Sequence, residues 1–149
     1  MRALIAVAGC VALLGVSACD PRTEDNPHRL IFCQVIADTP EHDDDSESIV
    51  ATARFWCDKP GADELTLTVV LQEEDDGEFV DIAAEEFTLS GEETIRTEEE
   101  RYRTRSVFVP CEKGTFRTLV SGASVARGRE ASYDQTGART VDPCRRPFD

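Results

Sequence analysis

From Leu30 onward, apolar and polar residues alternate with a period of two, interrupted every few residues by turn formers, a pattern that predicts strands and no helix. Leu30 to Ala37 reads as a short apolar strand, followed by a polar loop from Asp38 to Glu47. In Ile49 to Cys57, Ala51, Ala53, Phe55 and Cys57 share one face, with Val50, Thr52, Arg54 and Trp56 on the other. Lys59-Pro60-Gly61 is a turn. Leu65 to Gln72 is the clearest strand, with Leu65, Leu67, Val69 and Leu71 on one face and Thr66, Thr68 and Val70 on the other, a distribution that suits a half-buried pleated surface. Asp76-Gly77 is a hairpin signal that leads into Phe79 to Ile82. Glu85 to Ser90 reads as a separate edge piece. Arg101 to Val109 alternates again and stops at Pro110, which has no amide hydrogen to give a ladder. Thr115 to Val125 places Phe116, Thr118, Val120 and Gly122 on one side, and a last strand is expected from Ser132 to Val141. Seven to eight short strands with turns between them predict an all-β antiparallel sandwich over residues 30–149.

The segment before this pattern is of another kind. Met1-Arg2 is followed by apolar and small residues to Val16, long enough for a secretory signal and too short to cross a bilayer as a helix. The run closes on Val16-Ser17-Ala18-Cys19, which resembles the bacterial lipobox. That resemblance implies removal of residues 1–18 as a lipoprotein signal peptide and acylation of the Cys19 thiol, with the membrane as partner through the acyl chains. An ordinary signal peptide, giving a secreted protein, is the alternative. Residues 19–29 carry two prolines, include His28 and lack periodicity, so they read as a flexible tether.

Charge narrows the partners. The full chain carries −14; without Arg2 it has 30 acidic against 15 basic residues and −15. Nucleic acid is a poor partner for such a surface, and no basic patch is available for anionic lipid. The charge is also segregated. Residues 38–100 hold 22 acids against Arg54, Lys59 and Arg96, whereas residues 101–149 hold 10 basic residues and 5 acids. Pairing between these segments is expected, with Arg101, Arg103 and Arg105 on one strand face meeting Glu or Asp across it. A basic protein partner for the acidic surface is the functional alternative.

Four cysteines remain beyond Cys19, namely Cys33, Cys57, Cys111 and Cys144, and in an exported small domain they read as two disulfides with three pairings open. None lies in a Cys-x-x-Cys spacing, which argues against zinc and thioredoxin-like chemistry. Antiparallel pairing of the strands around Cys33 and Cys57 favours the local set Cys33–Cys57 and Cys111–Cys144. An immunoglobulin-style Cys57–Cys111 bridge between sheets is the competitor.

The succession Cys57-Asp58-Lys59-Pro60, the Leu65–Leu71 strand, Cys111-x-x-Gly114-x-Phe116-Arg117-Thr118 and a terminal Cys144 resembles small uncharacterised secreted proteins and lipoproteins of actinobacteria. The resemblance spans roughly residues 30–144 and implies an immunoglobulin-like β-sandwich with two disulfides, exported from the cell; it brings no agreed activity, so nothing catalytic carries over. It also implies that Phe116 stands where such chains often have an aromatic next to Arg, a counterpart of a corner tyrosine that lacks the hydroxyl to close the corner.

Candidate chemistry is sparse. Asp43, Asp44, Asp45 and Glu47, with Asp75, Asp76 and Glu78, are the oxygen-rich runs that a calcium ion would use, but neither has EF-hand spacing and a solvated loop accounts for both. The two histidines, His28 and His42, fall in the tether and an acidic loop; no nucleophile elbow, phosphate-binding glycine loop or metal-spaced cluster is present. Trp56 is either part of a contact surface or packing beside a disulfide. The sequence therefore predicts a membrane-anchored extracytoplasmic module that binds or supports, with no catalytic residues, metal or cofactor. A carbohydrate- or calcium-binding accessory domain is the alternative, and the oligomeric state stays open.

Overall fold

The computed structural model describes residues 29–145. The signal segment 1–18, the lipidation residue Cys19, the tether up to His28 and the tail 146–149 lie outside the described residues. Two antiparallel sheets face one another. In the first, β3 (Ser48–Cys57) is central: β1 (Cys33–Ala37) and β2 (Glu41–Asp43) share one of its sides, and β6 (Arg103–Pro110) takes the other. In the second, β4 (Glu64–Asp75) lies between β5 (Glu78–Leu89) and β7 (Thr115–Ala126), while β8 (Arg129–Thr136) and β9 (Thr140–Val141) follow one another along the far side of β7. Three strand positions thus pack on four, an immunoglobulin-like β-sandwich with no α-helix among the described residues.

The period-two pattern decides which residues make the core. Ala51, Ala53 and Phe55 of β3 and Leu65, Leu67, Val69 and Leu71 of β4 are all 0% exposed, and Phe116 and Val120 of β7 meet them. Each large apolar side chain buried this way contributes roughly 1.5–3 kcal/mol of transfer free energy.

Nine strands form where seven to eight were expected, and the differences have local causes. Three residues of the expected Asp38–Glu47 loop pair with β3 as β2, and β1 starts at Cys33 rather than Leu30. Glu85 to Ser90 is not a separate piece, because β5 is one twelve-residue strand. A register shift at Leu71/Gln72 leaves Ile82 extra, so consecutive residues Ile82 and Ala83 both pack on the core and the alternation breaks. The final strand divides where the Gly137 amide donates to the Thr118 carbonyl (2.8 Å), with β8 before this point and β9 after it.

The turns follow their residues. Asp76 (φ 49°) and Gly77 (φ 87°) both take left-handed backbone, the conformation a two-residue hairpin turn requires. Gly61 (φ 103°) lets the β3–β4 loop press on the short 3-10 turn Gly91–Thr94; a Cβ there would lie 2.2 Å from the Gly91 carbonyl oxygen. The fully buried Thr94 hydroxyl fastens that contact, accepting from the Ala62 amide (2.9 Å) and donating to the Gly91 carbonyl (2.7 Å).

Candidate functional site

The first disulfide is placed by neighbouring strands, whereas the second joins the two sheets. Cys33 and Cys57 stand opposite one another in the β1–β3 ladder, with Cα atoms 3.9 Å apart, and are bonded. Cys111 follows β6 and Cys144 follows β9; their Cα atoms are 5.9 Å apart and they too are bonded. What brings the second pair together is Asp142. Its backbone amide donates to the Gly114 carbonyl (2.8 Å), and its carboxylate accepts from the Gly114 amide (2.9 Å), beside the Thr115–Val141 ladder pair. The corner at the start of β7 is therefore closed by an aspartate, while Phe116 contributes only its fully buried ring. A Cys57–Cys111 bridge has no geometric basis: Cys57 ends β3, whereas Cys111 comes after Pro110, which pairs with Ser48 at the start of β3. Nine residues of strand, about 30 Å at ~3.3 Å each, separate the two positions.

Those bridged ends leave two loop clusters. The first holds the turns Asp44–Glu47, Asp75–Glu78 and Cys111–Gly114, together with the segment after β9. Of the oxygen-rich runs gathered there, Asp75, Asp76 and Glu78 are exposed, and Asp43 is turned back onto its own loop. Asp43 accepts from the Ser46 hydroxyl (2.6 Å) and the Asp45 amide (3.2 Å), bonds that hold its carboxyl below the ordinary aspartate value, the Ser46 bond most strongly. Asp44 lies 3.1 Å from His42 Nδ1. Among the described residues, the ligand atoms that converge within 4.8 Å are those of His42, Cys111 and Cys144. Both sulfurs are consumed in the disulfide, so this group offers one imidazole and no thiolate.

His42 is not the solvated loop residue its acidic neighbours suggested. It lies on β2 with a side chain only 13% exposed, and its Nε2 is buried without a hydrogen-bond partner, 3.7 Å from a Glu47 carboxylate oxygen. Proximity to the second disulfide is a tertiary fact, and residue order carries no sign of it.

Among the described residues, the anticipated arginine–carboxylate pairing of β6 occurs along the chain, at Arg103–Glu100, and not across the sheet. Arg103 donates to the Ile95 carbonyl (3.0 Å) and to Glu100 three residues back (2.9 Å). Arg105 donates to the Thr104 carbonyl (2.8 Å) and lies 5.9 Å from the Phe87 ring. The reason is register: Arg103 and Arg105 oppose Phe55 and Ala53, on the core-facing side of an edge strand, where no carboxylate stands opposite. Pairing occurs elsewhere. Arg54 donates through Nε to Asp38 (2.7 Å) and stacks on Tyr102 (4.8 Å); the aspartate first, then the tyrosine, raises the guanidinium pKa above its usual value. On the second sheet, Arg117 lies over the Phe79 ring (3.9 Å) and donates to Gln72 (2.7 Å), whose amide in turn donates to Asp81 (2.6 Å).

The second loop cluster lies where the chain enters. Trp56 stands half-buried on the outer face of β3, opposite Gln34, and lines a cleft of about 390 Å³ with Arg29, Asp58, Lys59, Arg96 and Glu98. Next to it, Phe32 is 66% exposed and Leu30 41%. An indole face with flanking charged and polar groups stacks on flat or ring-shaped ligands, or sits at an apolar–aqueous boundary. Among the described residues, no helix is long and apolar enough to cross a membrane.

No family model matches this chain, and no curated protein does. Among solved structures, the chain is similar to a β-glucosidase from Listeria innocua in complex with glucose, at 12% identity and a TM-score of 0.35 over 74% of this chain and 16% of that one. The match is confined to a small part of that enzyme's length, and a likeness at that level transfers neither fold nor activity.

Proposed function

We propose that the chain is a lipoprotein held on the extracytoplasmic face of the cell membrane, its sandwich acting as a non-catalytic binding or structural module. The observation that carries this reading is the pair of disulfides, which fit an oxidising compartment. Ahead of them stands Val16-Ser17-Ala18-Cys19, the signature of an acylated cysteine. Two or three acyl chains at about 0.8 kcal/mol per buried methylene anchor a domain stably, so neither a spanning helix nor a basic patch is required. The acidic loops at the end remote from Arg29 would then face outward, and a basic protein is the partner whose charge they complement.

Mass spectrometry of the mature N-terminus tests the anchor. The expected result is a diacylglyceryl-modified Cys19 at position one, with Cys19→Ala leaving the membrane fraction. A mature chain that starts elsewhere and bears no fatty acid refutes it. The Trp56 cleft favours a second reading, a carbohydrate-binding accessory domain. That reading is tested by titrating oligosaccharides against the fluorescence of Trp56, the only tryptophan in the chain.

A further inference from the structure

The two ends of the sandwich differ in chemistry. Away from the chain entry lie the acidic turns Asp44–Glu47 and Asp75–Glu78. At the entry, Leu30 (41% exposed), Phe32 (66%) and Tyr102 (37%) are open to water beside half-buried Trp56. Phe32 is no loose terminal side chain. Its amide donates to the Asp58 carboxylate (3.3 Å), and its carbonyl accepts from the Asp58 amide (2.9 Å). Arg127 donates to the Arg29 carbonyl (2.9 Å) just before it. The backbone is fastened on both sides of Leu30 while the apolar rings face outward. Continuing the alternation of β1, Phe32 falls on the same outer face as Trp56 and Gln34. Arg29 and Arg96 line the cleft with Trp56, and Arg129 lines the neighbouring groove with Leu30 and Phe32.

We propose that this end of the sandwich docks on the lipid bilayer itself, with Leu30 and Phe32 entering the interface, Trp56 and Tyr102 at headgroup level, and the arginine stems reaching along the surface to phosphates. The inference rests on the lipid-anchor reading, which supplies the occupant. Nine residues separate Cys19 from Arg29, a span of at most about 35 Å when fully extended, so an anchored chain holds this end against the bilayer at high effective concentration. Charge specifies the lipid. Several acids at this end are engaged: Asp58 with Phe32, Asp63 with the Arg127 amide (2.7 Å), and Glu100 with Arg103 (2.9 Å). Glu64, Glu92, Glu98, Glu99 and Glu130 remain exposed, Glu130 beside Arg129 in the groove that Leu30 and Phe32 line, so an anionic bilayer would be repelled. Docking is therefore mainly apolar insertion among zwitterionic headgroups, with only the smaller arginine–phosphate part screened by salt.

The test couples the chain from Cys19 onward, through that thiol, to a maleimide lipid in phosphatidylcholine vesicles; the other four cysteines are in disulfides and do not compete. Quenching of Trp56 by phosphatidylcholine brominated near the headgroup reports insertion. Wild type should be quenched, and the Leu30→Ser/Phe32→Ser double variant should lose the quenching by at least about tenfold in the docked-to-undocked ratio, since its apolar area is gone. Phe108→Ser, an exposed aromatic at the other end of the first sheet (67%), should leave quenching unchanged. Thermal melting confirms that each variant is folded. Unquenched wild type, an unaltered double variant, or quenching relieved by soluble oligosaccharide overturns the proposal, the last in favour of the carbohydrate cleft. Chemical coupling replaces cellular acylation, so failure here leaves the Cys19 mass measurement untouched, and the converse also holds.

Discussion

Two buried threonines should respond to the same substitution with opposite signs. Thr94 and Thr118 are both 0% exposed, and Thr→Val keeps the shape while removing the hydroxyl. The Thr94 hydroxyl accepts from the buried Ala62 amide at 2.9 Å and donates to the Gly91 carbonyl at 2.7 Å. Thr94→Val strands that amide, and an unsatisfied buried donor costs about 1–3 kcal/mol. The Thr118 hydroxyl is buried on the core-facing side of β7 with no hydrogen-bond partner, so the folded state already bears its desolvation cost. Thr118→Val removes that cost and should stabilise by about 1 kcal/mol or somewhat more. Equilibrium urea unfolding with the disulfides intact, followed by Trp56 fluorescence, reads both effects as shifts in midpoint at constant slope. In thermal melts each kcal/mol corresponds to about 3–5 °C for a domain of this size. The two residues share no hydrogen-bond partner, so the double variant should be the sum of the singles. A loss of stability in Thr118→Val, or a Thr94→Val variant as stable as wild type, would refute the hydrogen-bond accounting.

The remaining predictions follow from other contacts. Replacing Cys111 and Cys144 by serine reopens a 33-residue separation and should cost about 3 kcal/mol, measured by the same unfolding assay. Arg117→Lys keeps the charge but loses the Nε donor to Gln72 and the planar stack on Phe79, so it should destabilise by about 1 kcal/mol where a bare charge requirement would predict no change. The Asp43 carboxyl should titrate in carbon-detected NMR below the ordinary aspartate value of about 3.9 and return toward it in Ser46→Ala. Its folded pKa is depressed, so its contribution is full above the unfolded value and disappears as pH falls through the folded one.

Strand positions and the core were legible because alternation is a local property: the faces read from Ala51, Phe55 and Cys57, and from Leu65 to Leu71, are the buried faces. Placement of the first disulfide follows from the same strand pairing, with Cys33 and Cys57 adjacent in the ladder, whereas Cys111–Cys144 joins the two sheets. The twelve-residue β5 was not legible, because its bulge puts Ile82 and Ala83 on the core in succession and mimics a strand end. The burial of His42 is not legible in the sequence for a different reason. Its burial depends on the Cys111–Cys144 segment, which is remote in sequence, while its neighbours Glu41, Asp43 and Asp44 look like a solvated loop. Trp56 was visible as a candidate, but its cleft needs Arg29, Lys59 and Arg96 from three separate segments.

Some of the segregated charge falls at the sheet edges. β5 and β6 are edge strands, and an unpaired edge is a template for another chain. On β5, Glu85 opposes the fully buried Val69, so it occupies a core-facing position yet is exposed; on β6, Arg103 and Arg105 occupy core-facing positions opposite Phe55 and Ala53. Inward-pointing charges on an edge penalise any incoming strand, because pairing would bury them without partners. The Arg105 stem also covers apolar surface, its guanidinium resting 5.9 Å from Phe87 on β5. Glu85 of the acidic segment and Arg103 and Arg105 of the basic one thus guard two edges of the same sandwich instead of pairing strand to strand. Replacing Glu85 and Arg105 together with threonine leaves net charge unchanged and raises strand propensity, so solubility through overall charge is held constant while edge protection is lost. Sedimentation velocity should then show self-association absent from wild type. A double variant that sediments as wild type over the same concentration range would mean that these charges do not guard the edges.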